Sequence, residues 1–194
     1  MTIRNRVRVR ETRNIHKGWS SLNQATIDFQ RSDGSWQTMV RDNFDCGHGA
    51  TVLLYNLDRR TVILVRQFRY SVFCDGYEEL IIETPAGLLD DASPEERIRA
   101  EAEEETGYRV QSVRKVFEAY VSPGAVSQKN ICFVGAYSPE DRVSDGGGLA
   151  EEGEDIEVLE MEFDEAYAMI SDGRIRDGKT IMLLQYAALN LFAA

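Results

Sequence analysis

Between Ser93 and Gly107 the chain has few choices but a helix, and the helix it forms carries its charge in an unusual place. Ser93 offers a capping oxygen, Pro94 suits a first turn that needs no amide hydrogen, and Glu96 completes a capping box with Ser93. Gly107 closes the run as a residue free to take the left-handed conformation. These signals predict a helix over Pro94–Thr106. At about 100° per residue, Ile98 and Ala102 mark its apolar side, Glu105 falls about 20° from Ile98, and Glu101 about 60° from it. Two carboxylates four residues apart are therefore neighbours beside the buried stripe, whereas Glu103 points away. Like charges repel there, and burying them is costly unless a cation neutralises them. An oxygen-only donor set without cysteine or histidine selects a hard ion, Mg²⁺ or Mn²⁺.

Around this helix the pattern is mostly that of strands. Residues 3–10 alternate, with Arg4, Arg6, Arg8 and Arg10 on one side and Ile3, Val7 and Val9 mainly on the other. That is a strand with one wet face, open to a phosphate or a partner subunit as the alternative to solvent. Residues 26–30 and 36–40 flank Ser32-Asp33-Gly34, and residues 51–57 and 61–68 flank Asp58-Arg59-Arg60, which predicts two hairpins. Further strands are expected at 80–83, 113–121 and 131–137, with helices at 164–171 and 179–192. Residues 138–155, with Gly146-Gly147-Gly148 and four glutamates, read as a long acidic loop of the kind that often carries function. The sum is an α+β layered domain over residues 46–194, with residues 1–45 as an N-terminal antiparallel strand region.

Composition removes several classes of function. The 194 residues are 43% hydrophobic, enough for a sizeable core. No apolar run approaches the roughly 18 residues of a membrane span, and the first six residues are followed by no apolar stretch of the kind a secretory leader has. A net charge of −11 argues against general nucleic-acid binding. The three cysteines, Cys46, Cys74 and Cys132, form no CxxC pair and read as reduced thiols in a cytoplasmic protein. His16 and His48 both sit near glycines in expected turns, so histidine-centred triads and zinc sites have little material.

Gly87-Leu88-Leu89-Asp90-Asp91 through Glu101-Ala102-Glu103-Glu104-Glu105-Thr106-Gly107-Tyr108 resembles the Nudix box, GX5EX7REUXEEXGU. The preceding Glu83-Thr84-Pro85-Ala86-Gly87 resembles the lead-in of members that act on nucleoside diphosphate sugars. The resemblance implies the Nudix α/β/α sandwich with a mixed sheet. It implies Glu101 and Glu105 as principal metal ligands, Glu104 as an assisting group and the Ala86 carbonyl as a further ligand. Two departures stand out. The box is one residue shorter before its helix, and Ser93 and Ala100 stand where the family has glutamate and arginine. Those two normally pair, so losing both leaves no orphan charge.

Beyond the box the chain is similar to GDP-mannose pyrophosphatases, relatives of ADP-ribose pyrophosphatases. Val65-Arg66-Gln67-Phe68-Arg69, Ser122-Pro123-Gly124 and the triple glycine carry part of that likeness. The segments EDIEVLE (residues 154–160) and IRDGKT (residues 175–180) are the more specific and favour GDP-mannose over ADP-ribose. The resemblance implies attack by water on the diphosphate, giving a nucleoside monophosphate and a sugar 1-phosphate. Arg69, Gly87 and Lys179 match substrate-binding positions, as do Arg41 and Asp42 near the nucleotide. Trp19 is either a base-stacking or a packing residue. Glu154 matches a metal-binding or general-base position, beside Glu151 and Glu152. Gln128 stands where an acid is expected, and a neutral amide is no general base. A homodimer exchanging its N-terminal strands is implied as well. The alternatives are an ADP-ribose pyrophosphatase and a Nudix-fold nucleotide-binding module without turnover.

Overall fold

The computed structural model describes residues 2–89 and 92–193, with Glu152 by its backbone alone; Asp90 and Asp91 of the box-like segment lie outside the described residues. The chain divides into two compact units, Met1–His48 with Tyr120–Lys129, and Gly49–Ala119 with Asn130–Ala194.

The first unit is an antiparallel meander of β1 (Val7–Lys17), β2 (Ser21–Gln30) and β3 (Trp36–Asp45), with β2 in the middle. The β2–β3 turn forms where expected. Asp33 accepts from the backbone amide and hydroxyl of Ser35, and Gly34 takes φ +86°, which favours glycine. One expectation needs correction. Residues 3–6 form one turn of 3-10 helix rather than the start of the strand, because Val7 already pairs with Phe29 and β2 ends one residue later. Arg8 and Arg10 of β1 are exposed, as a wet face requires, and also make contacts: Arg8 lies 4.0 Å from the Trp36 ring centroid and Arg10 meets Asp28 at 2.6 Å, while Arg6 of the turn donates to the Gln30 carbonyl. Phe44 exchanges backbone hydrogen bonds with the 125–127 segment, which ties residues 120–129 to this unit.

The second unit is built on a mixed sheet in the order β10-β5-β4-β9-β8. Its strands are β4 (Gly49–Asn56), β5 (Thr61–Gln67), β8 (Arg114–Tyr120), β9 (Lys129–Ala136) and β10 (Glu157–Glu162). β4 runs parallel to β9 and antiparallel to β5. Past Leu54 and Ile63 the β4–β5 pairing stops, and two short strands take up the freed edges. β6 (Ile81–Glu83) pairs with β5, and β7 (Ala86–Leu88) pairs with β4. Neither β7 nor β10 was expected as a strand. β7 is three residues long, and β10 is a half-exposed edge strand without a clean alternation.

The central strands read as unbroken apolar runs because both faces of this sheet are covered. One face is packed by α2 (Pro94–Thr106), whose Ile98 and Ala102 meet Ala50, Val52, Leu54, Ile63, Ile131 and Phe133. The other is packed by α3 (Phe163–Ser171) and α4 (Gly178–Asn190) against Leu53, Val62, Leu64, Cys132 and Val134. Successive strand residues thus alternate between two cores, giving an α/β/α sandwich. A five-residue helix, α1 (Tyr70–Cys74), follows β5 and was not foreseen. Among the described residues no helix is long and apolar enough to cross a membrane.

Candidate active site

The predicted caps of α2 are all present. Ser93 accepts from the Glu96 amide, Glu96 accepts from the Ser93 amide, and Gly107 takes φ +78°. The helix buries Glu101 and Glu105 beside Ile98 and Ala102, and Glu105 is only 1% exposed. Glu103 instead reaches Arg109 at 2.6 Å on the outer side.

Gly87 is needed for this arrangement: a Cβ there would fall 1.7 Å from Oε1 of Glu101. β7 therefore runs close against the carboxylate, and the Ala86 amide donates to Glu105. The other oxygen of Glu105, Oε2, is buried without a hydrogen-bond partner. Burial, then the neighbouring charges of Glu101 and Glu154, push the Glu105 carboxyl up to about 8 despite the opposing influence of Arg69.

Glu154 reaches this cluster through the triple glycine. The amides of Gly147 and Gly148 donate to the carbonyls of Glu105 and Glu104 at 2.9 and 3.1 Å, so the loop satisfies the open end of α2. Only glycine fits at residue 146, with φ +70° and a Cβ that would lie 2.6 Å from the Glu105 carbonyl. Beyond the glycines the Leu149 amide donates to Glu154 Oε2 at 2.9 Å, which folds the carboxylate back toward α2. The side chain of Glu104 is less enclosed and lies 4.0 Å from Arg97.

Arg69 and Lys179 come together on Glu83, a buried carboxylate at the end of β6. Arg69 contacts its Oε2 through Nε and Nη2 at 2.9 and 2.7 Å, and the Lys179 ammonium contacts Oε1 at 3.1 Å. Lys179 also meets Asp177, which caps α4 by accepting from the amide and hydroxyl of Thr180. Thr180 accepts in turn from the Thr84 amide at 2.7 Å, and Thr84 bonds Thr51 on β4 at 2.7 Å. A ladder of short polar side chains thereby pins the start of α4 to the strand next to Glu83.

Of the expected site residues, Arg69, Ala86, Gly87, Glu101, Glu104, Glu105, Glu154 and Lys179 all belong to the second unit. Trp19, Arg41, Asp42 and Gln128 belong to the first. There Trp19 is 79% exposed, while Arg41 and Asp42 line an open cleft with Tyr120 and the 123–127 segment. His48 accepts from the Lys129 amide and serves its turn.

Two residues of the site went unnoticed in the sequence. Glu83 stood within a motif but had no assigned role. Arg97 lies one turn before Glu101 and pairs with it at 2.5 Å, a contact that the four-residue spacing would have disclosed. It brings a cation to the Glu101 side of a helix that has alanine at position 100.

Among the described residues no three acidic, cysteine or histidine side chains close on a single point. The donor chemistry nonetheless fits a hard divalent cation: three carboxylates are drawn together, one holding a buried oxygen without a partner.

Two family descriptions match the chain. Residues 6–44 match the GDP-mannose pyrophosphatase NudK N-terminal domain, and residues 47–184 match the NUDIX domain. A protein named GDP-mannose pyrophosphatase from Pectobacterium atrosepticum is 51% identical over 88% of both chains. One from Yersinia enterocolitica is 49% identical over 91% of this chain and 92% of its own. Another from Yersinia pestis is 46% identical over 92% and 89%. Nudix hydrolases generally use divalent metal ions, which is the chemistry the partnerless oxygen of Glu105 calls for. With that carboxylate helix, its glycine-rich closure and these matches over most of its length, the chain belongs to the Nudix family of pyrophosphate-bond hydrolases.

Proposed function

We propose that the protein hydrolyses GDP-mannose to GMP and mannose 1-phosphate in the presence of Mg²⁺. The observation that carries this reading is the mutually repelling set of Glu101, Glu105 and Glu154, the first two of them buried, in the same unit as a cation pair on Glu83. Glu101, Glu105, Glu154 and the Ala86 carbonyl would hold Mg²⁺, with Mn²⁺ as a substitute. The bound ion would offset diphosphate charge and ease deprotonation of water.

The chain's own groups supply the rest. Arg69 and Lys179 bind the diphosphate, Gly87 keeps the backbone close enough for substrate to approach, and Glu104 and Glu154 are the carboxylates available to take a proton from water. Trp19, Arg41, Asp42 and Gln128, all of the first unit, would serve the nucleotide. The exposed Val9, Ile15, Val40 and Phe44 of the N-terminal sheet support a homodimer that covers them. Unpaired Cys46, Cys74 and Cys132 support a cytoplasmic setting.

A panel of GDP-mannose, ADP-ribose and other nucleoside diphosphate sugars, assayed with Mg²⁺ and product identification, tests the proposal. GDP-mannose should give the highest kcat/KM; a higher value for ADP-ribose would move the assignment one branch away. One observation favours a binding module without turnover, namely that Arg97 occupies Glu101. Hydrolysis of any substrate in the panel removes that reading.

A further inference from the structure

Glu83 is enclosed by protein, yet nothing in the chemistry above uses it. Its two oxygens are divided between two cations. Oε2 receives both Nε and Nη2 of Arg69, with the Gln67 amide at 3.3 Å, and Oε1 receives Lys179. Arg69 comes from the N-cap of α1, just after β5, and Lys179 from the first turn of α4, so Glu83 is where two distant segments of chain are brought into register. Two cations this close would repel each other without a carboxylate between them. The lysine stem is also long and flexible, and a fixed partner removes conformational freedom that would otherwise be lost on binding a ligand. With Asp177 on the other side of Lys179, positive and negative side chains match two for two. Glu83 thus supplies geometry rather than a net positive field.

We propose that Glu83 is a positioning residue that holds Arg69 and Lys179 as one phosphate-binding pair, and so sets substrate affinity more than the chemical step. This rests on the reading of Arg69 and Lys179 as substrate-binding residues. In Glu83→Gln the amide oxygen can still accept from Arg69, but the amide nitrogen would face the Lys179 ammonium and release it. Glu83→Asp keeps the charge and withdraws it by one methylene. It serves as the second variant, because removing one partner from a buried ion pair can prevent folding.

The test combines steady-state kinetics on GDP-mannose with calorimetric titration of magnesium pyrophosphate, each variant first checked by thermal melting. Both substitutions should raise KM and the pyrophosphate Kd by about tenfold and leave kcat within about threefold. In a Lys179→Met background the effect of Glu83→Gln should shrink to about twofold, since coupled partners are not additive. A fall in kcat at unchanged KM and Kd would reduce Glu83 to a folding role, and an undiminished effect in the Lys179→Met background would break the link to Lys179. If wild-type protein turned over no nucleoside diphosphate sugar, the substrate reading would fall. The pyrophosphate titration would then decide the role of Glu83 by itself.

Discussion

The two units of this chain bury very different things. The second encloses two apolar clusters, one on each face of its sheet, and sets its charged site at their edge. In the first, the single buried residue among the described ones is Asp28, held by Arg10 and Thr38, while Trp19, Val40 and Phe44 face outward. Charge divides along the same line. The first unit carries nine lysines and arginines against five acids, the second thirteen against twenty-eight. A sandwich with its own core can stabilise a costly cluster of carboxylates. A three-stranded sheet without an apolar core is not expected to be stable alone, and its exposed hydrophobics call for a covering surface. The comparison separates a unit that contains its reason to fold from one that has to find it elsewhere.

The largest expected effect lies in the second unit. Replacing Glu105 by Gln should lower kcat/KM by at least about a hundredfold, since even the outer partners of metal ligands are worth that much. Glu103→Gln should change it little, because Glu103 faces Arg109 on the far side of α2. Equal, small losses in steady-state assays would return the helix to an ordinary solvated face.

Removal of residues 1–45 tests the first unit. We expect the apolar clusters of the second unit to persist, so circular dichroism should still report a folded protein. Light scattering should show a dimer for the whole chain and monomer or aggregate after truncation. A well-behaved dimer of the shortened protein would place the contact elsewhere.

A smaller effect follows from Glu105 in metal-free protein. Its carboxyl is raised in the fold to about 8 from an ordinary value near 4.5, so the unfolded chain gives up this proton first as pH increases. The contribution to stability is fully present below about 4.5 and is lost as pH rises toward about 8. In EDTA the melting temperature should decline across that window, and Glu105→Gln should flatten the decline. An identical slope in both proteins would assign it to other groups.

The smallest effects concern the altered box. Ser93→Ala removes a cap and should cost about 1 kcal/mol in thermal melts. Ala100→Arg should leave turnover within a few-fold, because Arg97 already brings a cation to Glu101. A gain of a hundredfold or more from Ala100→Arg would mark the native chain as a decayed enzyme.

Which parts of this protein could be read in advance follows from the range of the interactions involved. The α2 boundaries and caps, the burial of Glu101 and Glu105 and the β2–β3 turn were legible in the sequence, because helical periodicity and turn chemistry act within a few residues. The motifs also identified Arg69 and Lys179 as residues of interest. Their joining on Glu83 was not legible, because it spans 96 residues between Glu83 and Lys179 and depends on where α4 packs. The same holds for Glu154, which reaches Glu105 only because three glycines let a loop dock on the end of α2. β7 escaped notice for a related reason: three residues have too little period to read, and they form a strand only where β4 and β5 part. Local hydrogen bonding, written in neighbouring residues, determined the carboxylate helix. Burial and long-range pairing, which exist only once the sandwich has closed, decided which charges would meet beside it.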